Sequence, residues 1–383
     1  MTIALRNGRV LHGEAFHSGL VVLVDGEHIA AVVDESDPRA RDAAQSMDLE
    51  NRMLLPGFID WQVNGGGGAL FNDTPDTNTI RRIGEAHRRY GTTGFLPTLI
   101  SDDFDVMRAA IAAVKDAISA GVAGVLGIHL EGPYIAPARR GAHDATKFRV
   151  PGREEIDLVC SLTEGVTVLT LAPERVEPDL IREFAARGVI VCAGHSAATY
   201  AQARAALDAG ARGFTHVYNA MSQLQGREPG MVGAALDDAQ SWCGIIVDGY
   251  HAHAASLRIA LAAKPRGKVT LVTDAMPPVG ADDPRYSLAG VEITCRDGRC
   301  ETPDGVLAGS ALDMASAVRN SASTLGVSLA EAARMASTYP AEFLGLADRG
   351  RIAAGRRADF VELDAAGNAT RTWIGGRAET PAS

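Results

Sequence analysis

At 383 residues the chain exceeds one average domain and suits a barrel of about 250 residues with a small companion. Hydrophobic residues make up 46% and charged residues 22%, ordinary for a globular protein with a large core, and disorder is not expected. Asp plus Glu exceed Lys plus Arg by 47 to 37 with no basic run, which argues against a nucleic-acid partner.

No basic segment followed by an apolar stretch opens the sequence, and no apolar run reaches the ~18 residues that suggest a membrane span, so neither secretion nor membrane insertion is expected. The five cysteines (Cys160, Cys192, Cys243, Cys295, Cys300) are odd in number, scattered and not in CxxC pairs. That usage predicts neither a disulfide framework nor a cysteine metal site, and points to the reducing cytosol.

From Ile3 to about Val33, β-rich runs alternate with turns, with Asp25 and Gly26 as a hairpin signal. The final stretch, DRGRIAAGRRADFVELDAAGNATRTWIGGR, reads alike. Two similar ends around a different middle predict a small β-sandwich built from residues 1–55 and 346–383, enclosing a catalytic unit over residues 56–345.

The middle repeats a short apolar run, most often followed by a helical segment. The runs are GFID (57–60), TGFLPTLI (93–100), AGVLGIHLE (123–131), VTVLTLAP (166–173), GVIVCAGH (188–195), GFTHVYN (213–219), CGIIVDG (243–249) and KVTLVTDA (268–275). Segments such as DVMRAAIAAVKDAISAG and TYAQARAALDAG between them carry helical periodicity. Eight such units predict an α/β fold, a closed (β/α)8 TIM barrel.

Six runs end in a titratable group: Asp60, Glu131, His195, His216, Asp248 and Asp274. In a barrel those ends converge on the face where the βα loops build the active site. Glu131, His195 and His216 are a carboxylate and two imidazoles, a set that holds a catalytic zinc and leaves a position open; iron, cobalt, manganese or cadmium would accept it too. A lone histidine after an apolar run is by default a hydrogen-bonded structural residue, and it is the convergence of three ligands that points to one divalent metal. Asp274 faces the same site, where a carboxylate can take a proton from the attacking water and return it to a leaving nitrogen; as a structural residue it would cap the next turn.

These residues fall in segments that resemble the N-acetylglucosamine-6-phosphate deacetylase family of the amidohydrolase superfamily over nearly the whole chain. The segments include PGFIDWQVNGGGG (56–68), GIHLEGPYIAPARRGAH (127–143), AGHSAATY (193–200), THVYNAM (215–221), DGYHAH (248–253), LVTDAM (271–276) and LAGS (307–310). HLEGPY with THVYNAM is highly specific; PGFID marks only the superfamily. Where many amidohydrolases carry a HisxHis pair, Gln62 and Asn64 stand here as vestigial positions of a second metal. Neutral amides are poor substitutes for imidazole, so one metal per subunit is expected.

The resemblance implies a phosphorylated amino-sugar substrate, N-acetyl-D-glucosamine 6-phosphate, hydrolysed to D-glucosamine 6-phosphate and acetate in amino-sugar catabolism or recycling. It assigns His143 to the acetamide carbonyl, Ala142 to backbone contact with substrate, and Leu307, Ala308 and Gly309 to a loop closing over the sugar. Asn219, the backbone amide of Ala220, Arg227 and His251 would take the phosphate, Arg through a fork matched to its oxygens. Family members are commonly homodimers whose partner subunit completes that site. Two rival readings remain: another amidohydrolase, such as a dipeptidase or cyclic-amide hydrolase, or a degenerate scaffold suggested by the missing second-metal ligands.

Overall fold

A computed structural model describes residues 2–379, so Met1 and the last four residues of the expected C-terminal segment lie outside the described residues. All eight apolar runs form strands: Phe58–Val63, Thr92–Ile100, Gly127–Glu131, Val166–Leu171, Ile190–Ala193, Gly213–Phe214, Trp242–Ile245 and Val269–Leu271. They pair in parallel in sequence order. A parallel bridge between Val63 and Ala275 closes the circle. The Asp274 amide donates to the Gln62 carbonyl at 3.0 Å across the same seam.

Helices on the outer face follow most strands. The one at Thr77–Arg88 begins at Asp76, whose carboxylate accepts from the Thr79 amide at 2.7 Å. The one at Tyr200–Asp208 carries a capping box of Thr199 and Gln202. The helix at Phe104–Ser119 buries Met107, Ala110, Ile111 and Val114 against Phe95, Leu99 and Ile128 of the barrel wall.

The termini meet. Strand Phe360–Leu363 lies antiparallel to Met53–Pro56, the strand that leads into the barrel, in a six-stranded sheet drawing on both ends of the chain. A four-stranded sheet of N-terminal strands packs on it through Leu5, Val22, Val24, Ile29, Phe360 and Trp373. The expected hairpin is present between Leu20–Asp25 and His28–Asp34, and its turn is Gly26–Glu27, with Gly26 at φ +56°.

Two features depart from expectation. Residues 285–310 form a four-stranded antiparallel sheet beside the barrel mouth, so LAGS (307–310) is a strand and not a closing loop. In that sheet Cys295 and Cys300 are paired in a disulfide, which corrects the expectation of unpaired cysteines: the tight hairpin CRDGRC sets the two directly opposite each other. Cys160, Cys192 and Cys243 are free.

Candidate active site

At the C-terminal mouth of the barrel, Glu131 Oε1 lies 3.1 Å from His195 Nε2 and 2.9 Å from His216 Nε2, and the two imidazole nitrogens are 3.1 Å apart. All three side chains are buried. The strands deliver them by turning: both histidines adopt left-handed backbone, φ 47° and 31°, at the point where their strands end.

The donor set fits a cation. His195 Nδ1 lies 2.9 Å from the Arg139 carbonyl, which can only accept, so Nδ1 carries the proton and Nε2 faces Glu131 with a lone pair. Two acceptors in contact are repulsive unless positive charge sits between them. Bonds of about 2.0 Å in a tetrahedral shell set ligand atoms about 3.3 Å apart, close to the spacing found here. Where a proton takes the cation's place, burial works to raise the Glu131 carboxyl, yet hydrogen bonds donated by His195 and His216 hold it well below the usual carboxylate range. For His216, burial opposes the charged form and Glu131 outweighs it, raising the imidazole.

Asp274 ends the eighth strand, also with left-handed backbone (φ 52°). Burial, then the nearby Glu131 charge, push its carboxyl up to about 6. Its Oδ1 accepts from Asn64 Nδ2 at 2.6 Å and Gln62 Nε2 at 3.2 Å, and Gln62 also reaches Glu131 Oε1 at 3.1 Å. Gln62 thus bridges Glu131 and the aspartate while Asn64 holds the aspartate alone, and the buried side-chain oxygens of both amides have no partner.

Glu131, His195, His216 and Asp274 line a cavity of about 230 Å³, together with Ala142, His143, Asn219, Ala220, His251, Leu307 and Gly309. The His143 ring lies against that of His195, tilted by 54° with centroids 4.5 Å apart, and burial, then the neighbouring His195, push its imidazole down to about 3. His251 Nδ1 lies 2.6 Å from Asp248 Oδ2, so Asp248 orients a cavity residue without lining the cavity itself. Asp60 is likewise held apart: it accepts from the Thr273 hydroxyl at 2.5 Å and the Gln62 amide at 3.2 Å, tying the first strand to the last.

Two expected substrate residues are not in the cavity. Ala308 points the other way, since alternate residues of a strand face opposite sides, and its carbonyl accepts from the Tyr286 hydroxyl. Arg227 is exposed on the segment after the sixth strand and lines none of the cavity. The sequence reading missed the wall formed by Ile100, Met276, Leu288 and Val306, and it missed Ser101, which contacts His143. The Asp-Gly pairs at 297–298 and 304–305 are hairpin signals that could have revealed the sheet carrying Leu288 and Val306.

An eight-stranded barrel with a buried Glu-His-His set and an aspartate at its mouth defines a metal-dependent hydrolase. The chain belongs to the amidohydrolase family, whose model matches residues 53–378. It is 45% identical to an N-acetylgalactosamine-6-phosphate deacetylase of Shewanella sp. (86% of this chain, 83% of the relative). It is 34% identical to the N-acetylglucosamine-6-phosphate deacetylase of Haemophilus influenzae (89% of each). The solved N-acetylglucosamine-6-phosphate deacetylase of Pasteurella multocida superposes with a TM-score of 0.95 at 33% identity, covering 99% of this chain and 100% of that one. Within the family the chain therefore stands among the N-acetylhexosamine-6-phosphate deacetylases.

Proposed function

We propose that the chain removes the acetyl group of N-acetyl-D-glucosamine 6-phosphate, releasing acetate and D-glucosamine 6-phosphate. The observation that carries this reading is the meeting of Glu131, His195, His216, Asp274 and His143 in one cavity. Glu131, His195 and His216 would hold a single divalent metal, zinc by the match of two imidazoles and a carboxylate to its catalytic ligand sets. Bound there, the metal lowers the pKa of water and polarises the acetamide carbonyl.

Asp274, a carboxylate at neutral pH with a pKa of about 6, takes the proton of the attacking water and passes it to the departing nitrogen. His143 is neutral at that pH and donates to the developing oxyanion, a role for which charge is unnecessary. Water attacks the carbonyl carbon, the C–N bond breaks, and the nitrogen leaves as an amine. Asn219, the Ala220 amide and His251 serve the sugar and its phosphate. The exposed Arg227 reaches the phosphate in the cavity of a second copy, so the working form is a homodimer. Among the described residues no helix is long and apolar enough to cross a membrane.

The 45% identity to a galactosamine-type deacetylase favours a second reading, in which the C4 epimer is the preferred substrate. Acetate release from both 6-phosphates and from plain N-acetylglucosamine, with and without chelator, tests the two together. Higher kcat/KM for the glucosamine epimer supports the first, and higher kcat/KM for the galactosamine epimer the second. Chelator-resistant hydrolysis, or none with a full metal load, would overturn both.

A further inference from the structure

We infer that Ser101 is a positioning residue that fixes the tautomer of His143, so that Nε2–H is the donor turned toward the reacting carbonyl. The inference rests on the deacetylase reading above for the role of His143, and on geometry for that of Ser101.

Ser101 directly follows the second barrel strand and is buried. Its backbone amide donates to His143 Nδ1 at 3.3 Å, and its hydroxyl lies 2.8 Å from the same nitrogen. A backbone N–H can only donate, so Nδ1 must be an acceptor, and the hydroxyl, facing the same lone pair, donates as well. A neutral imidazole with its lone pair on Nδ1 carries its proton on Nε2. The other tautomer would set an N–H against two donors. One residue thus supplies two donors to one ring nitrogen and leaves the opposite nitrogen to the cavity.

The packing keeps this arrangement. A Cβ placed on Gly132 would come within 2.3 Å of the Ser101 hydroxyl, so the bare backbone there, at φ +86°, makes room for the hydroxyl where it meets the ring. The His143 ring also packs against the tilted ring of His195, with centroids 4.5 Å apart. Nothing in the sequence marks Ser101, because TLIS reads as an apolar strand ending in an ordinary loop serine.

The test is a double-mutant cycle with a spectroscopic arm. Ser101→Ala should lower kcat about tenfold, the scale of one lost hydrogen bond in the transition state, with KM within about twofold and metal content unchanged. In a His143→Ala background the same substitution should cost nothing further, because Ser101 acts through that ring. An equal loss in both backgrounds assigns Ser101 a merely structural role and overturns the inference. Nitrogen-15 NMR of the wild-type protein reads the tautomer without any variant: Nε2–H is expected, and Nδ1–H overturns it. Should the wild type release acetate from neither 6-phosphate, the functional reading fails while the NMR arm still decides what Ser101 does to His143.

Discussion

Asn64 Nδ2 donates to Asp274 Oδ1 at 2.6 Å, across the seam where the first barrel strand meets the last. Gln62 donates to the same oxygen at 3.2 Å, so both amides hold the carboxylate to which the proposed function gives the proton transfer. Asn64→Leu keeps the volume and removes the donor. We expect kcat to fall about tenfold with the metal retained, the cost of a lost hydrogen bond to a charged group. Steady-state kinetics beside metal analysis checks this; wild-type turnover would make the amides mere remnants.

Removing the metal should do more than silence the enzyme. Without a cation, a carboxylate oxygen and two imidazole nitrogens are left within 3.1 Å of one another in a buried site. Chelation is expected to abolish acetate release and lower Tm, and stoichiometric zinc to restore both. Glu131→Gln, His195→Asn and His216→Asn should each purify with under about a tenth of the wild-type metal. Elemental analysis of the wild type should return one equivalent per chain; two would mean that the amide pair supports a second site.

The barrel and the cluster at its mouth were legible in the sequence because strand periodicity and strand-end chemistry are local signals: Glu131, His195, His216 and Asp274 each end an apolar run. Other parts depend on what the chain does over long distances. The left-handed backbone of His195, His216 and Asp274, which turns their side chains together, is a conformation that Asp and His tolerate better than most residues, yet no local pattern requires it and it follows from the closing of the barrel. Asp60 and Asp248 carried the same strand-end signal, yet they act one step back, on Thr273 and His251, because partner choice is set by packing. Ser101 is silent in sequence for the same reason.

The disulfide gives a direct chemical check. Thiol titration of the denatured, unreduced protein should find three thiols, from Cys160, Cys192 and Cys243, and five after reduction. The closed loop is short, so the chain-entropy contribution is at most about 2 kcal/mol. Cys295→Ser with Cys300→Ser should therefore lower Tm by only a few degrees, measured by calorimetry under oxidising conditions. Five thiols before reduction would restore the expectation drawn from the cysteine count.

Asp238 supplies a pH signature outside the cavity. Burial works to raise its carboxyl, but Arg204 at 2.7 Å and the Ser241 and Gln240 amides prevail and bring it to about 2. The unfolded carboxyl titrates near about 3.9. A folded pKa below the unfolded one stabilises above about pH 4, and that stability is lost as pH falls toward about 2. Asp238→Asn should have a lower Tm than wild type at pH 7, and the gap should narrow across that acidic window. A gap that stays constant down to about pH 2 would assign the loss to shape and not to charge.

Arg227 separates the two ways of completing the phosphate site. It is exposed and outside the cavity of its own chain, whose lining includes His251 and Asn219. If it serves a second copy, Arg227→Ala raises KM for the 6-phosphate at least tenfold while kcat/KM for plain N-acetylglucosamine is unchanged, since only the phosphorylated sugar offers the guanidinium an anion. Mixing Arg227→Ala subunits with Asp274→Asn subunits then sharpens the assignment. In a heterodimer, one cavity combines an intact Asp274 with the Arg227 donated by the other chain, so tight-binding activity should reappear in one site of two. Recovery of low KM in the mixture places Arg227 across the interface. Failure to recover it, with heterodimers present by mass, leaves phosphate binding to each chain alone.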